Sequence, residues 1–260
     1  MLTSKTYAEI IDHDLLPSIK VFAIGKDAIS AMNSVANLYE GCINFIALCN
    51  NLNELTSSKA NIQMLIEDNV SAANDKARHN ELITKIKSLV KGTDLVIIIA
   101  DMQKDLYSSL AVEISKASTA ENNLTVGIEN NAVQNRNNIP DTQNFERNVD
   151  AFIKVNDSII VLNRSSNEKP LVSELIAKAV NTIVFPLVYI SFIAIDFNDL
   201  KSLLKNGGIA LVADFKSTKT DSIKEIIESL QLNPKKALFN ISTNSNFAVD
   251  DFKNMLNEIE

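Results

Sequence analysis

Short, almost wholly apolar runs alternate along this chain with segments whose apolar residues recur every three or four positions. Ile19–Ile24, Ile43–Cys49, Leu95–Ala100, Leu124–Ile128, Ala151–Val155 and Ile159–Leu162 are continuous enough to be strands buried on both faces. Asn61–Ile66 reads as a further extended piece. Between them lie helical patterns. Ala28–Leu38 carries Ala28, Met32 and Val35 at helical spacing, and Ser71–Lys91 gathers Leu82, Ile83, Ile86, Leu89 and Val90 on one face. Shorter helices are expected over residues 54–60, 108–117 and 141–149. Apolar strands spaced by helices predict a parallel α/β sheet covered on both faces, with right-handed crossovers. In such sheets ligands sit at the carboxyl ends of the strands.

The pattern changes after residue 163. A polar loop, Asn163–Pro170, leads into a long apolar helix from Leu171 to about Phe185, with Pro186 expected to bend or end it. Asp196–Leu204 is a further helix, and Asn206-Gly207-Gly208 is expected to close it with glycine as the left-handed cap. Strands are expected over 209–215 and 237–242, and helices over 221–230 and 248–260. The domain organisation is therefore a sheet domain over residues 1–170, a central core helix over 171–192, and a smaller, truncated α+β subdomain over 193–260. Two strands make a marginal sheet with an exposed edge. The apolar stretch Thr182–Ile195 falls short of the ~20 residues a bilayer span requires, so no direct membrane insertion is expected. Acidic and basic residues among the first 17 positions argue against a signal peptide.

Composition narrows the function classes. The net charge of -7 argues against a nucleic-acid partner, which would need a clustered basic face. Cys42 and Cys49 form no CxxC pair and have no nearby histidine, so neither a metal site nor a disulfide framework is expected. Cys49, in an apolar run, reads as a small hydrophobe. The only histidines, His13 and His79, lie in polar surroundings and read as surface residues. A bacterial-type cytoplasm is the default location. Six glycines in 260 residues is about a third of the ~7% of average proteins, whereas asparagine is abundant. Asparagine tolerates positive φ and can serve at turns, but it cannot replace glycine where the backbone must approach a ligand closely.

That deficit matters most between Lys91 and Ser109. Here a buried strand runs into a loop and a helix, the place where α/β proteins hold phosphates. No glycine lies between Gly92 and Gly127, and the loop presents Asp101, Gln103, Lys104, Asp105, Leu106 and Tyr107. Lys26 and Lys104 lack a G-x-x-x-x-G-K-[ST] context and read as solvated lysines.

Several short words occur along the chain in a collinear order: Ile19-Lys-Val, Gly25, Asn33, Phe45-Ile-Ala47, Gly92-x-Asp-x-Val96, Ala100-x-Met102, Thr125-Val-Gly127 and Val149-Asp150. Asn156-Asp157, Asp196-Phe-x-Asp-x-Lys201 and Ala210-Leu continue it. In this order and spacing, over roughly residues 18–260, the chain resembles FtsZ, the bacterial tubulin. The resemblance implies a Rossmann-type parallel sheet flanked by helices and joined by a long core helix to a smaller subdomain. It also implies GTP as the family's cofactor and head-to-tail, protofilament-type contacts with itself or a true FtsZ.

The departures are specific. The family's first glycine-rich turn reads Gly25-Lys-Asp-Ala-Ile-Ser30, with one glycine left. Its main phosphate loop reads Gln103-Lys-Asp-Leu-Tyr-Ser-Ser109, with none. Its Asn-Thr-Asp reads Cys49-Asn50-Asn51, and its ribose and base segment, Val133–Asn138, is unrecognisable. Each Cβ blocks close approach, and Asp101 and Asp105 add repulsion toward a triphosphate. Gly25, Asn50, Asn51, Asp101, Gln103, Asn156 and Asp157 are thus vestigial nucleotide-site positions. The pair Asn156-Asp157 also reads as an Asx turn, and a base-contacting acid would fall near Glu174.

Asp196 and Asp199 match acids that position the attacking water in a neighbour's site, yet the same spacing is that of a helix N-cap and its N3 acid. Ala194 replaces the amide residue two positions before them. The expectation is a non-hydrolysing FtsZ-like scaffold or filament partner without GTP or with weak GTP binding. A divergent polymerising GTPase and a Rossmann-like module for a non-phosphate ligand remain as alternatives.

Overall fold

The computed structural model describes residues 11–67, 73–130, 140–155, 159–162, 171–191, 194–210, 212–215 and 236. Seven strands form the main sheet: β1 (Ile19–Ile24), β2 (Asn44–Cys49), β3 (Ile62–Leu65), β4 (Leu95–Asp101), β5 (Leu124–Asn130), β6 (Ala151–Lys154) and β8 (Gly208–Ile209). Their order is β3-β2-β1-β4-β5-β6-β8, and every ladder in it is parallel. The helices are α1 (Lys26–Ala36), α2 (Leu52–Thr56), α3 (Ala73–Val90), α4 (Asp105–Ala120), α5 (Pro140–Arg147), α6 (Val172–Val188) and α7 (Phe197–Leu204). β7 (Ile159–Leu162) and β9 (Val212–Phe215) make a separate two-stranded sheet.

The apolar runs form strands because both faces of the sheet are covered. All seven residues of β4 and all seven of β5 are buried, polar ends included. Each fully buried Ile or Val of β4 stabilises the fold by about 1.5–3 kcal/mol relative to exposure. Strand order reverses between β1 and β4. The chain moves from β1 to β2 and β3 on one side, then returns to β4 and continues through β5 and β6 on the other. The crevice at the carboxyl ends of β1 and β4 is the topological switch point.

The chain divides into two compact units, residues 1–160 with 169–212, and residues 161–168 with 213–260. The long core helix α6 is present and packs on α1. The hydroxyl of Tyr39 donates to Asn181 Oδ1 at 2.6 Å, and that of Tyr189 donates to the Leu38 carbonyl. The ring of Tyr189 lies 5.9 Å from that of Tyr39 and 4.9 Å from that of Phe185. None of the described helices is long and apolar enough to cross a membrane.

Four local expectations change. Helix α6 runs through Pro186 to Val188, because the apolar faces on both sides of the proline are held in the core. The strand expected over 209–215 is two: Gly208–Ile209 joins β6 of the main sheet, and Val212–Phe215 pairs with β7. After α7 two residues are left-handed, Asn206 at φ 54° directly after the helix and Gly208 at φ 70°, so asparagine shares the role expected of glycine. Asn122, at φ 58°, does the same after α4, so asparagine serves at turns as expected. Helix α4 starts at Asp105, three residues before the expected Ser108, which leaves only Met102–Lys104 as a turn. The expected elements over 221–230, 237–242 and 248–260 lie outside the described residues.

Many of the words shared with FtsZ carry structural bonds. Asp94 Oδ2 accepts from the Ser18 N–H at 2.8 Å and holds the start of β1. Asn33 bridges α1 to the turn after α2, accepting from Lys59 N at 2.8 Å and donating to Ser57 O at 3.2 Å. Asp150 accepts from Thr125 N at 3.0 Å and pairs with Lys205 at 3.0 Å. Gly127 leaves room for Phe145 and Phe152, whose rings meet edge to face at 5.3 Å. A Cβ there would lie 2.9 Å from Phe145 Cζ and 3.0 Å from Phe152 Cδ2. Gly127→Ala is therefore expected to destabilise the fold by about 1–3 kcal/mol through overpacking. Urea denaturation checks this, and an unchanged midpoint contradicts it.

Candidate functional site

The carboxyl ends of β1, β2, β4 and β5 bring together Gly25, Asn50, Asp101 and Asn130 with the start of α4. Helix α1 begins directly after Gly25, which has no side chain to cap it. The cap comes instead from the last residue of β4. Asp101 Oδ2 accepts from the Asp27 N–H at 2.9 Å, across 74 residues of sequence. Its other oxygen, Oδ1, accepts from Asn130 Nδ2 at 2.8 Å. The same amide nitrogen reaches Asp27 Oδ2 at 3.3 Å. Asp101 and Asn130 are register partners at the ends of β4 and β5, so the sheet itself sets their spacing.

Gly25 belongs to this contact. Its φ of 96° disfavours any side chain, and a Cβ would lie 2.4 Å from Asp101 Oδ2. Close approach is thus still the reason for glycine here, but what approaches is the chain's own carboxyl group. Asp101 is 8% exposed. Burial pushes its carboxyl up to about 6, against the hydrogen bonds from Asn130 and from the Asp27 and Ala28 backbone; the nearby Asp27 carboxylate raises it further. Asn130 Oδ1 is buried and has no hydrogen-bond partner among the described residues.

A second cluster fills the space beside β2. The Tyr107 hydroxyl, in the first turn of α4, donates to Asn50 Oδ1 at 2.5 Å. The Cys49 thiol donates to Glu54 Oε2 at 2.9 Å and lies 3.3 Å from Tyr107 Oη. Cys49 is thus a hydrogen-bonded thiol rather than the plain small hydrophobe expected. Burial, then the bond to Glu54, raises its pKa and keeps it protonated. Burial also raises the Tyr107 phenol, followed by its bond to Cys49. Lys104 is exposed but not merely solvated: its ammonium reaches Asn50 Oδ1 at 3.2 Å and sits 4.9 Å over the Tyr107 ring.

The remaining expected residues disperse. Asn51 caps α2, accepting from Asn53 N at 2.9 Å, and Gln103 is exposed in the turn before α4. Asp196 and Asp199 form a reciprocal capping box on α7, at 2.9 and 3.0 Å. Asn156 and Asp157 lie outside the described residues, as does the segment 133–138; Glu174 is exposed in the first turn of α6. Among the described residues no group of three or more acids, histidines or cysteines could hold a metal ion. Sequence reading missed Asn130, Asp27 and Glu54. Asn130 was open to discovery, because it ends the strand beside β4 at the edge where parallel sheets place their ligands.

No family model matches the chain. It is 22% identical to cell division protein FtsZ 1 of Archaeoglobus fulgidus, over 95% of this chain and 74% of that protein. Against FtsZ of Haloferax mediterranei it is 21% identical over 67% of this chain and 52% of the relative. Among solved structures, an FtsZ of M. jannaschii superposes with a TM-score of 0.62 at 18% identity, over 76% of this chain and 65% of that one. TubZ of Clostridium botulinum phage c-st gives 0.55 at 15% identity, over 91% of this chain and 84% of the phage protein. The chain thus spans between about half and four fifths of the length of these relatives. The FtsZ/tubulin-superfamily resemblance read from the sequence is borne out, and the fold is that of FtsZ and TubZ, at low identity.

The Asp101 carboxyl makes stability depend on pH. Its folded pKa of about 6 lies above the ordinary 3.8, so the folded state holds the proton more tightly. That contribution is fully present below about pH 4 and is lost as pH rises through 6, a change of about 3 kcal/mol from this group. Asp101→Asn removes the charge, and with the Asn130 amide turned over its orphan oxygen gains a donor. Denaturant midpoints measured from pH 4 to 8 are expected to flatten in Asp101→Asn and to exceed wild type at pH 8. A wild-type slope retained in the variant contradicts this assignment.

Proposed function

We propose that this chain is an FtsZ-like protein that does not hydrolyse GTP and serves as a scaffold or assembly partner in a division-type filament system. One observation carries the reading. At the switch point, where the resemblance puts the phosphates, a carboxylate of the chain itself sits on the α1 backbone N–H. The turn that would wrap a triphosphate is shortened to Met102–Lys104 by the early start of α4. A phosphate brought to this position meets the Asp101 and Asp27 carboxylates, and like charges this close repel strongly where water is excluded. Backbone N–H groups hold an anion only when no other acceptor has taken them.

The retained acids Asp196 and Asp199 support the same reading. Their mutual hydrogen bonds are those of a helix start, and Lys201 lies over the Phe197 ring at 5.9 Å. Capping alone explains why this word persists.

Self-association or association with a true FtsZ is the proposed mode of action, in the cytoplasm. A second M. jannaschii structure similar to this chain, at a TM-score of 0.59 and 18% identity, is described as an empty FtsZ dimer. Head-to-tail stacking is a heterologous contact and generates open filaments.

Labelled GTP titrated onto the full chain, with phosphate release followed at high protein concentration, tests this reading. Neither binding nor turnover is expected, and sedimentation is expected to be the same with and without GTP. Micromolar binding with turnover would favour the divergent GTPase instead. Asp196→Ala is expected to lower stability by about 1 kcal/mol by loss of the cap, leaving phosphate release at background.

A further inference from the structure

We propose that the open edge of β3 pairs antiparallel with the same edge of a second copy of this chain, giving a two-fold dimer centred on Gln63. β3 ends the seven-stranded sheet, and among the described residues no strand pairs with its outer side. Its inner side is fixed by the ladder to β2. The Ile66 N–H donates to the Cys49 carbonyl at 3.0 Å, and Leu65 is the register partner of Cys49. In a parallel ladder this turns the N–H and C=O groups of Ile62 and Met64 toward β2, and those of Gln63 and Leu65 toward the open side. Exposure alternates with the same period. Lys59, Asn61, Gln63, Leu65 and Glu67 are all exposed, whereas Met64 and Ile66 are buried. Sheet edges are commonly blunted by shortness, charge or proline. The opposite edge, β8, is two residues long. β3 reads Ile-Gln-Met-Leu, with no charge and no proline, and Leu65 is 54% exposed.

The residues flanking β3 select the partner. Lys59 and Glu67 stand four positions before and four after Gln63. In an antiparallel pair centred on Gln63, Gln63 meets Gln63, Leu65 meets Asn61, and Lys59 meets Glu67 at both ends. These are the positions whose backbone groups face outward, so the hydrogen-bonding register and the charge register coincide. Opposite charges directly across such a pair stabilise it, and like charges destabilise it. A parallel in-register pairing would instead set Lys59 beside Lys59 and Glu67 beside Glu67. The edge is therefore complementary to itself, which favours a second copy over an unrelated extended segment. Glu67 also pairs with Arg78 of its own chain at 2.5 Å, but both side chains are more than half exposed, and a surface pair of that kind contributes little. The contact is isologous and closes at two copies, unlike head-to-tail stacking, which is heterologous and open.

The register is tested in the full chain carrying Cys42→Ser, which removes the partly exposed thiol. Gln63→Cys in that background places two thiols across the dyad with Cα atoms ~5.5 Å apart, within disulfide reach. Leu65→Cys places them four residues apart along the pair, ~14 Å, beyond that reach. Mild oxidation is expected to give a covalent dimer of the first and none of the second. Sedimentation velocity over a concentration series follows the pairing without a cross-link, and wild type is expected to form dimers. Lys59→Glu and Glu67→Lys are each expected to weaken dimerisation about tenfold, and an equimolar mixture of the two to recover it, because a mixed pair restores both opposite-charge contacts. Gln63→Pro removes an outward N–H while sparing the ladder to β2, and is expected to abolish dimers. A wild type without dimers at high concentration overturns the proposal. Equal cross-linking at 63 and 65, or a mixture no more associated than its components, does the same. Should Gln63→Pro fail to fold, the thiols and the charge variants decide. None of these readouts involves GTP, so their outcome is separable from that of the scaffold reading.

Discussion

The amino end of α1 is a concentration of unmet backbone donors set at the reversal point of a parallel sheet. Its first residue follows Gly25, which has nothing to offer as a cap, and the strand ends beside it are buried. Unpaired N–H groups in such a place cost as much as lost hydrogen bonds, and the helix dipole adds to the demand for negative charge. Asp101 meets that demand from β4. Much of the local structure follows: β4 must remain strand through Asp101, Gly25 must lack a Cβ, and β5 must end on a side chain that donates to the second oxygen. The three strand ends are thereby tied to one carboxyl group.

The neighbouring cluster settles the other half of the crevice by different means. Tyr107 extends from the first turn of α4 to Asn50, with Cys49, Glu54 and Lys104 arranged around its hydroxyl. A flexible loop of glycines would leave this volume open to a ligand, whereas an early helix start commits it to side chains. Buried polar networks hold a unique arrangement when their members are satisfied. Within these two clusters the described exception is Asn130 Oδ1.

The words that carry the resemblance to FtsZ lie where they hold the fold together. Asp94, Asn33, Asp150 and the Asp196–Asp199 pair each satisfy backbone groups at strand or helix ends. Losing any one would strand a donor, a structural role that needs no chemistry on a substrate.

By itself the sequence determined the parallel sheet, most of its strands, the core helix and the resemblance to FtsZ. Those depend on runs of apolar residues and on local capping patterns, which are visible in one dimension. It also showed no glycine between Gly92 and Gly127, where the resemblance would place a phosphate loop. Only the tertiary structure decided what the end of β4 contacts. The Asp101 carboxyl, read as a repulsive charge in a loop, is a buried acceptor at a helix start 74 positions away. Asn130, which sequence reading missed, is its donor. The reach of α6 through Pro186 and the division of 208–215 between two sheets also depend on packing. Such pairings arise from strand order and register, which bring distant residues within hydrogen-bond reach.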